Sequence, residues 1–261
     1  MGDEIKIQNK HGQITIFVII AIIIVAAIIL LFWFYNRVIP NVQPSAAENP
    51  QLNIEHCINS HVEKSVDKIM ENGGYIKKSD LTKKFNGESI PYLCYIKTNY
   101  ANCIIIEPVL IEHLEKEIYN DIKTKISGCF ASLETGLEKK GYSVTMESGM
   151  NFSVNLIPGD VKTIINKKIT LSKADETRKF DKFEANYHTP LYDMAIVIQE
   201  ITRQESLYCN SEYTKIMRAN TWIEIDKFQT GDDNKIYTVK DTRTKNEIKF
   251  AIRGCVMNTP S

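Results

Sequence analysis

ITIFVIIAIIIVAAIILLFWFY, residues Ile14 to Tyr35, is an apolar run of 22 residues whose one polar member is Thr15. As a helix rising 1.5 Å per residue it would be roughly 33 Å long, enough to cross a hydrocarbon core of about 30 Å. The sequence therefore predicts a transmembrane helix over 14–36 with the lipid bilayer as its partner, and Trp33, Phe34 and Tyr35 at one interface. A cleaved secretory signal is the competing reading, because the run lies near the N-terminus behind Lys6, Lys10 and His11. Its length argues against that: a signal's apolar region is about 7–15 residues and ends in small side chains, whereas this one continues through Ile, Leu and Trp without an A-x-A-like site.

Working outward, residues 1–13 are a short tail in which Lys6 and Lys10 are partly offset by Asp3 and Glu4, and Arg37 is the nearest charge beyond the run. Charge alone favours an N-terminus inside. All six cysteines, Cys57, Cys94, Cys103, Cys129, Cys209 and Cys255, fall after the run. An even number on one side points to disulfides in an oxidising compartment, with six reduced core cysteines as the alternative. The expectation is a single-pass protein of the cell membrane, N-terminus cytoplasmic and C-terminal domain extracellular.

Lys10-His11-Gly12-Gln13 directly before a long apolar helix resembles the class III signal peptides of archaeal type IV pilins and archaellins. The resemblance implies cleavage after Gly12, a mature chain beginning at Gln13, and an apolar helix that becomes a filament core. Phe17 stands at the fifth mature position, where that family usually carries Glu, so inefficient cutting is expected. The layout of Gly-Gln start, span, cysteine-bearing helix and mixed strands is also similar to single-pass archaeal surface proteins without an assigned activity.

Residues 37–50 hold Pro40, Pro44 and Pro50 and read as an extended stalk. Residues 51–261 read as a disulfide-stabilised α+β extracellular domain of two long helices, a shorter third helix and antiparallel strands. Asn49 is a candidate cap and Pro50 a first-turn residue for a helix whose Ile54, Ile58, Val62, Val66 and Ile69 share one face, stopped by Asn72-Gly73-Gly74. A turn-rich segment extends to about Ser89, and Ile90–Ile96 and Cys103–Ile106 form a hairpin with a wide loop. Glu107-Pro108 opens a second long helix reaching about Lys140, with Leu110, Leu114, Ile118, Ile122 and Ile126 every four residues and Cys129, Phe130 and Leu133 extending the face. From Tyr142 the period becomes two. Strands around Phe152 to Leu156, Val161 to Leu171 and Phe183 to Tyr187 form a meander with one buried face. A third helix follows Pro190, and strands over 222–228, 235–241 and 248–253 complete the domain.

Six cysteines allow fifteen pairings. Cys94 and Cys103 flank the hairpin loop, and a bridge there closes a short ring. Cys57 lies beside the apolar stripe of the first helix and Cys129 on that of the second, so packing the two stripes together brings them within reach. Cys209, after the third helix, is left with Cys255, after the last strand.

Signals for chemistry are sparse. No two of His11, His56, His61, His113 and His188 are four residues apart on a helix, and H-E-x-x-H and C-x-x-C are absent, so no metal or cofactor is expected. Ser65-Val66-Asp67-Lys68 fits S-x-x-K, and Tyr208-Cys209-Asn210 resembles its companion motif, but K-T-G is missing. Lys and Arg (32) balance Asp and Glu (32), which argues against nucleic acid as a partner. Lys77, Lys78, Lys83 and Lys84 form a local basic group. Asn151-Phe152-Ser153 is a glycosylation acceptor triplet. No catalytic residue is assigned, and the chain reads as a cell-surface structural or binding protein with envelope or pilus proteins as partners. A minor pilin-like subunit is the alternative and an envelope enzyme a more distant one.

Overall fold

The computed structural model describes residues 20–30 and 49–256. The chain divides into two units, Met1–Ala46 and Ala47–Ser261. In the first, the described residues 20–30 are helical, α1, and cover about 16 Å at 1.5 Å per residue. Among the described residues no helix is long and apolar enough to cross a membrane. This corrects the expected fold, an α+β domain carried on a transmembrane helix over 14–36. The described helical residues, 20–30, span only about half of the roughly 30 Å hydrocarbon core. The expectations for residues 1–19, 31–36 and the stalk at 37–48 lie outside the described residues, Gly12 and Gln13 included.

In the second unit, α2 (Pro50–Glu71) begins where local chemistry dictates. The Asn49 side chain accepts from the backbone N–H of Gln51 and Leu52, and Pro50 fills a position whose N–H has no helical partner. Its inward face is Ile54, Ile58, Val62, Val66 and Ile69, each at most 1% exposed. The helix ends at Asn72, and Gly73 and Gly74 take positive φ of 61° and 106°.

Two sheets follow. The larger is ordered β1 (Thr82–Phe85), β2 (Glu88–Tyr95), β10 (Glu247–Arg253), β9 (Lys235–Asp241), β8 (Ile223–Gln229), with β3 (Ile104–Ile105) also on β2. It is mixed: β2 and β10 run parallel, where antiparallel pairing was expected throughout. The smaller is built on the 14-residue β6 (Asp160–Lys173), which pairs along its length with β7 (Glu176–His188) and, on its other side, with β5 (Asn151–Ile157) and then β4 (Ser143–Met146). Alternation on β6 puts Val161, Thr163, Ile165, Ile169 and Leu171 inward, and the register with β7 shifts between Asn166 and Ile169, so that Phe183 and Phe180, three residues apart, lie opposite Ile165 and Ile169.

The expected second long helix is two helices, α3 (Leu110–Ile122) and α4 (Ile126–Glu138). Ile122 and Ile126 are both fully buried on either side of the break, so the spacing of four persists through it. The bend lets α3 face α2, β5 and α5 (Leu191–Tyr208), while α4 faces α2 and β4. At 18 residues α5 is longer than either, not a short third helix, and α6 (Tyr213–Ala219) lies against β8. One apolar core runs through α2 to α6 and both sheets; a smaller cluster of Ile90, Tyr92, Ile236 and Ala251 covers part of the larger sheet.

Helical side chains cover both edges of the smaller sheet. Gln51 Nε2 and Asn59 Nδ2 of α2 donate to the carbonyls of Glu184 and Asn186 on β7, at 2.6 and 3.1 Å. On the other side Glu115 of α3 accepts from the N–H of Leu156 on β5 at 2.7 Å. Unpaired strand groups invite pairing with another chain, and these amides and this carboxylate occupy some of them.

Candidate functional site

The end of α2, the β1–β2 hairpin and the β9–β10 connection enclose a cleft of about 610 Å³. Its position follows from Gly73. A Cβ there would lie 2.3 Å from the Lys249 carbonyl oxygen and 2.5 Å from Pro91, so only glycine lets the chain leaving α2 press onto β10 and β2. Around that contact stand Asp67 and Glu71 of α2, Lys78, Glu88 at the hairpin turn, Glu247 and Lys249. Lys249 reaches Glu88 and Glu247 at 3.4 Å each. Burial acts to lower the Lys249 pKa, but these two carboxylates outweigh it and hold the ammonium above its ordinary value. Four carboxylates against two amines leave the lining with a formal surplus of two negative charges. Such walls hold a polar or cationic group by hydrogen bonds and charge.

A second cluster lies where α5 ends against the larger sheet. Glu205 is fully buried and accepts from Lys235 Nζ at 2.5 Å and from Tyr237 Oη, with Lys227 Nζ at 3.5 Å. Lys235 also donates to the Cys209 carbonyl. Burial and the Glu205 carboxylate drive the Tyr237 phenol far above its usual range, so it is a permanent donor. Burial and the Lys235 charge lower the Lys227 pKa, partly opposed by Glu205. Beside the cluster lies a hollow of about 250 Å³ lined in part by Lys227, Gln229, Asp233 and the Cys209–Cys255 bridge. Two ammonium groups on one buried carboxylate tie α5 to β8 and β9.

The S-x-x-K pair is not assembled for catalysis. Ser65 is buried, its hydroxyl facing Asp121 Oδ2 at 2.7 Å and the His61 carbonyl at 3.0 Å, and Lys68 pairs with Asp121 at 3.4 Å. Burial raises the Asp121 pKa, but hydrogen bonds from Lys125 and Ser65 prevail and hold it below the ordinary carboxylate range. Ser65 thus supports an ion pair joining α2 to α3. Tyr208 is exposed, and Cys209 is bonded to Cys255.

The cysteines join as Cys57–Cys129, Cys94–Cys103 and Cys209–Cys255, with Cα–Cα distances of 5.8, 5.4 and 5.9 Å. These are the pairs expected from the sequence. Cys57–Cys129 clips α2 to α4, Cys94–Cys103 closes the β2–β3 loop, and Cys209–Cys255 ties the end of α5 to the segment after β10. His61 sits within 4.8 Å of the Cys57 and Cys129 sulfurs, one turn after Cys57 on α2. Screening histidine pairs alone passes over this Cys57–His61 spacing of four. Burial, Lys125 and Lys64 lower the His61 pKa against the weaker pull of Asp121, so the ring is held neutral.

Of the other sequence candidates, His56 and His188 are exposed, and His113 bridges Glu107 Oε2 at 3.2 Å and the Gly74 carbonyl at 3.0 Å. Lys83 is spent on Asp232, which breaks up the basic group. Asn151 is exposed at the start of β5, on the polar face of the smaller sheet. No protein-family model, curated protein or solved structure matches the chain.

Proposed function

We propose that residues 49–256 are a structural or binding module that works outside the reducing cytoplasm, at the cell surface or in the envelope, and holds a polar partner in the cleft beneath α2. The observation that carries this reading is the pairing of all six cysteines into three bridges, each joining different elements. Such a set persists where the surroundings are oxidising, and a domain that must survive there gains from covalent closure. The cleft supports binding, since Lys249, Glu88 and Glu247 fix one another in its wall while the lining keeps a surplus of carboxylates for a polar partner. A glycan on Asn151 would suit the same compartment.

Labelling intact cells with a membrane-impermeant amine reagent tests the location. The reading requires modification of exposed Lys77, Lys78 and Lys84. Modification only after cell lysis, with a known surface protein labelled beforehand, would place the domain inside and end the proposal.

A further inference from the structure

We infer that Cys57, His61 and Cys129, when the two cysteines are thiols, form a binding site for one borderline-soft divalent cation of the zinc class. Their ligand atoms lie within 4.8 Å of one another, and two rigid helices supply them. Cys57 and His61 stand one turn apart on α2, which aims both side chains to the same side; Cys129 comes from the first turn of α4. With the helix backbones 5.8 Å apart at the two cysteine Cα atoms, rotation about the cysteine side chains opens the sulfurs to the roughly 3.8 Å separation that two Zn–S bonds of about 2.3 Å require in a tetrahedron.

The ligand chemistry suits such an ion. Two thiolates and one imidazole select zinc over hard cations such as magnesium or calcium. Cys57 and His61 are only partly buried, which leaves the fourth coordination position open to water.

The balance is explicit. A dithiol reductant gives two electrons and two protons to the Cys57–Cys129 bridge and becomes a disulfide itself. The cation then displaces two protons from the thiols. The site therefore belongs to the chain before this bridge closes, or after it has been opened, and closing the bridge expels the ion.

Cobalt(II) added to the purified full chain is the test. After reduction with a phosphine, one equivalent should give thiolate-to-cobalt charge-transfer bands and the strong visible bands of tetrahedral cobalt, all removed by excess zinc. The oxidised chain should give neither. His61→Ala should weaken binding by about tenfold or more, and Cys57→Ser with Cys129→Ser should abolish the bands. Unchanged affinity in His61→Ala, or bands persisting in the double variant, would overturn the inference. Because the double variant can fail to fold, the unmodified chain supplies an independent readout. Zinc should slow re-formation of the Cys57–Cys129 bridge relative to the other two in a non-reducing peptide map, and equal slowing of all three would overturn the site.

Discussion

Replacing Glu205 by Gln keeps the volume of the side chain and removes its charge, leaving Lys235 and Lys227 without a counter-ion at a position that is fully buried. Removing one partner of a buried ion pair costs about 3–5 kcal/mol, because the remaining charge stays desolvated. Lys235, whose side chain is 9% exposed, has no easy route to water; Lys227, at 15%, has slightly more. With a urea dependence of about 2 kcal/mol per molar, the midpoint of unfolding should fall by roughly 2 M. Replacing the most buried members together, as Glu205→Leu, Lys235→Met and Tyr237→Phe, should recover most of the loss, since it removes the desolvated Lys235 charge and the orphaned phenol, while Lys227, the more exposed amine, keeps its hydrogen bond to Asn210. Urea unfolding followed by circular dichroism measures all of these. If Glu205→Gln lies within about 1 kcal/mol of the parent, or the triple variant is no better than the single, the charge network is not what fastens α5 to the sheet.

The bridges should differ in worth by the chain each closes. In the loop-entropy relation, separations of 72, 46 and 9 residues correspond to about 4.4, 4.0 and 2.6 kcal/mol, so Cys57→Ser with Cys129→Ser should lower the urea midpoint more than Cys94→Ser with Cys103→Ser, and the reverse order would count against the relation here. Gly73→Ala should cost about 2–4 kcal/mol, combining a left-handed backbone with overlap on Lys249 and Pro91, whereas the same change at Gly87, which has open space around it, should cost only the backbone term of about 1 kcal/mol. Asp121 has a folded pKa held below its unfolded value, so its contribution is present above the unfolded value and is lost as pH falls through the folded one. Stability against pH should accordingly be flatter on the acid side, from about pH 5 downward, in Asp121→Asn than in the parent; superimposable acid limbs would refute the role given to that ion pair.

Much of the second unit was legible because its signals are local. The stripe from Ile54 to Ile69, the Asn49-Pro50 start and the Asn72-Gly73-Gly74 stop all act within one helix, and the alternation of Phe152, Val154 and Leu156 acts within one strand. The bridges were accessible for a related reason, since two buried stripes that must meet bring Cys57 and Cys129 together. The β1–β2 hairpin was missed although its signal was present: Asn86-Gly87, at φ 49° and 84°, is the two-residue turn that joins antiparallel strands. Other features had no local trace. The bend between α3 and α4 leaves the spacing of four undisturbed, and the parallel pairing of β2 with β10 depends on a contact between residues far apart in the chain. The cleft joins Asp67 to Glu88 and Glu247, positions that no sequence window contains together.

The claim that this is a disulfide-stapled module of an oxidising compartment is tested most directly by the state of its six cysteines in the cells that make it. The chain should be isolated with an alkylating agent present from the moment of lysis, and its intact mass compared before and after reduction. The account predicts no alkylation without reductant and six adducts after reduction, with peptides linked as Cys57–Cys129, Cys94–Cys103 and Cys209–Cys255. Adducts on these cysteines in most of the chains before any reductant is added would contradict it.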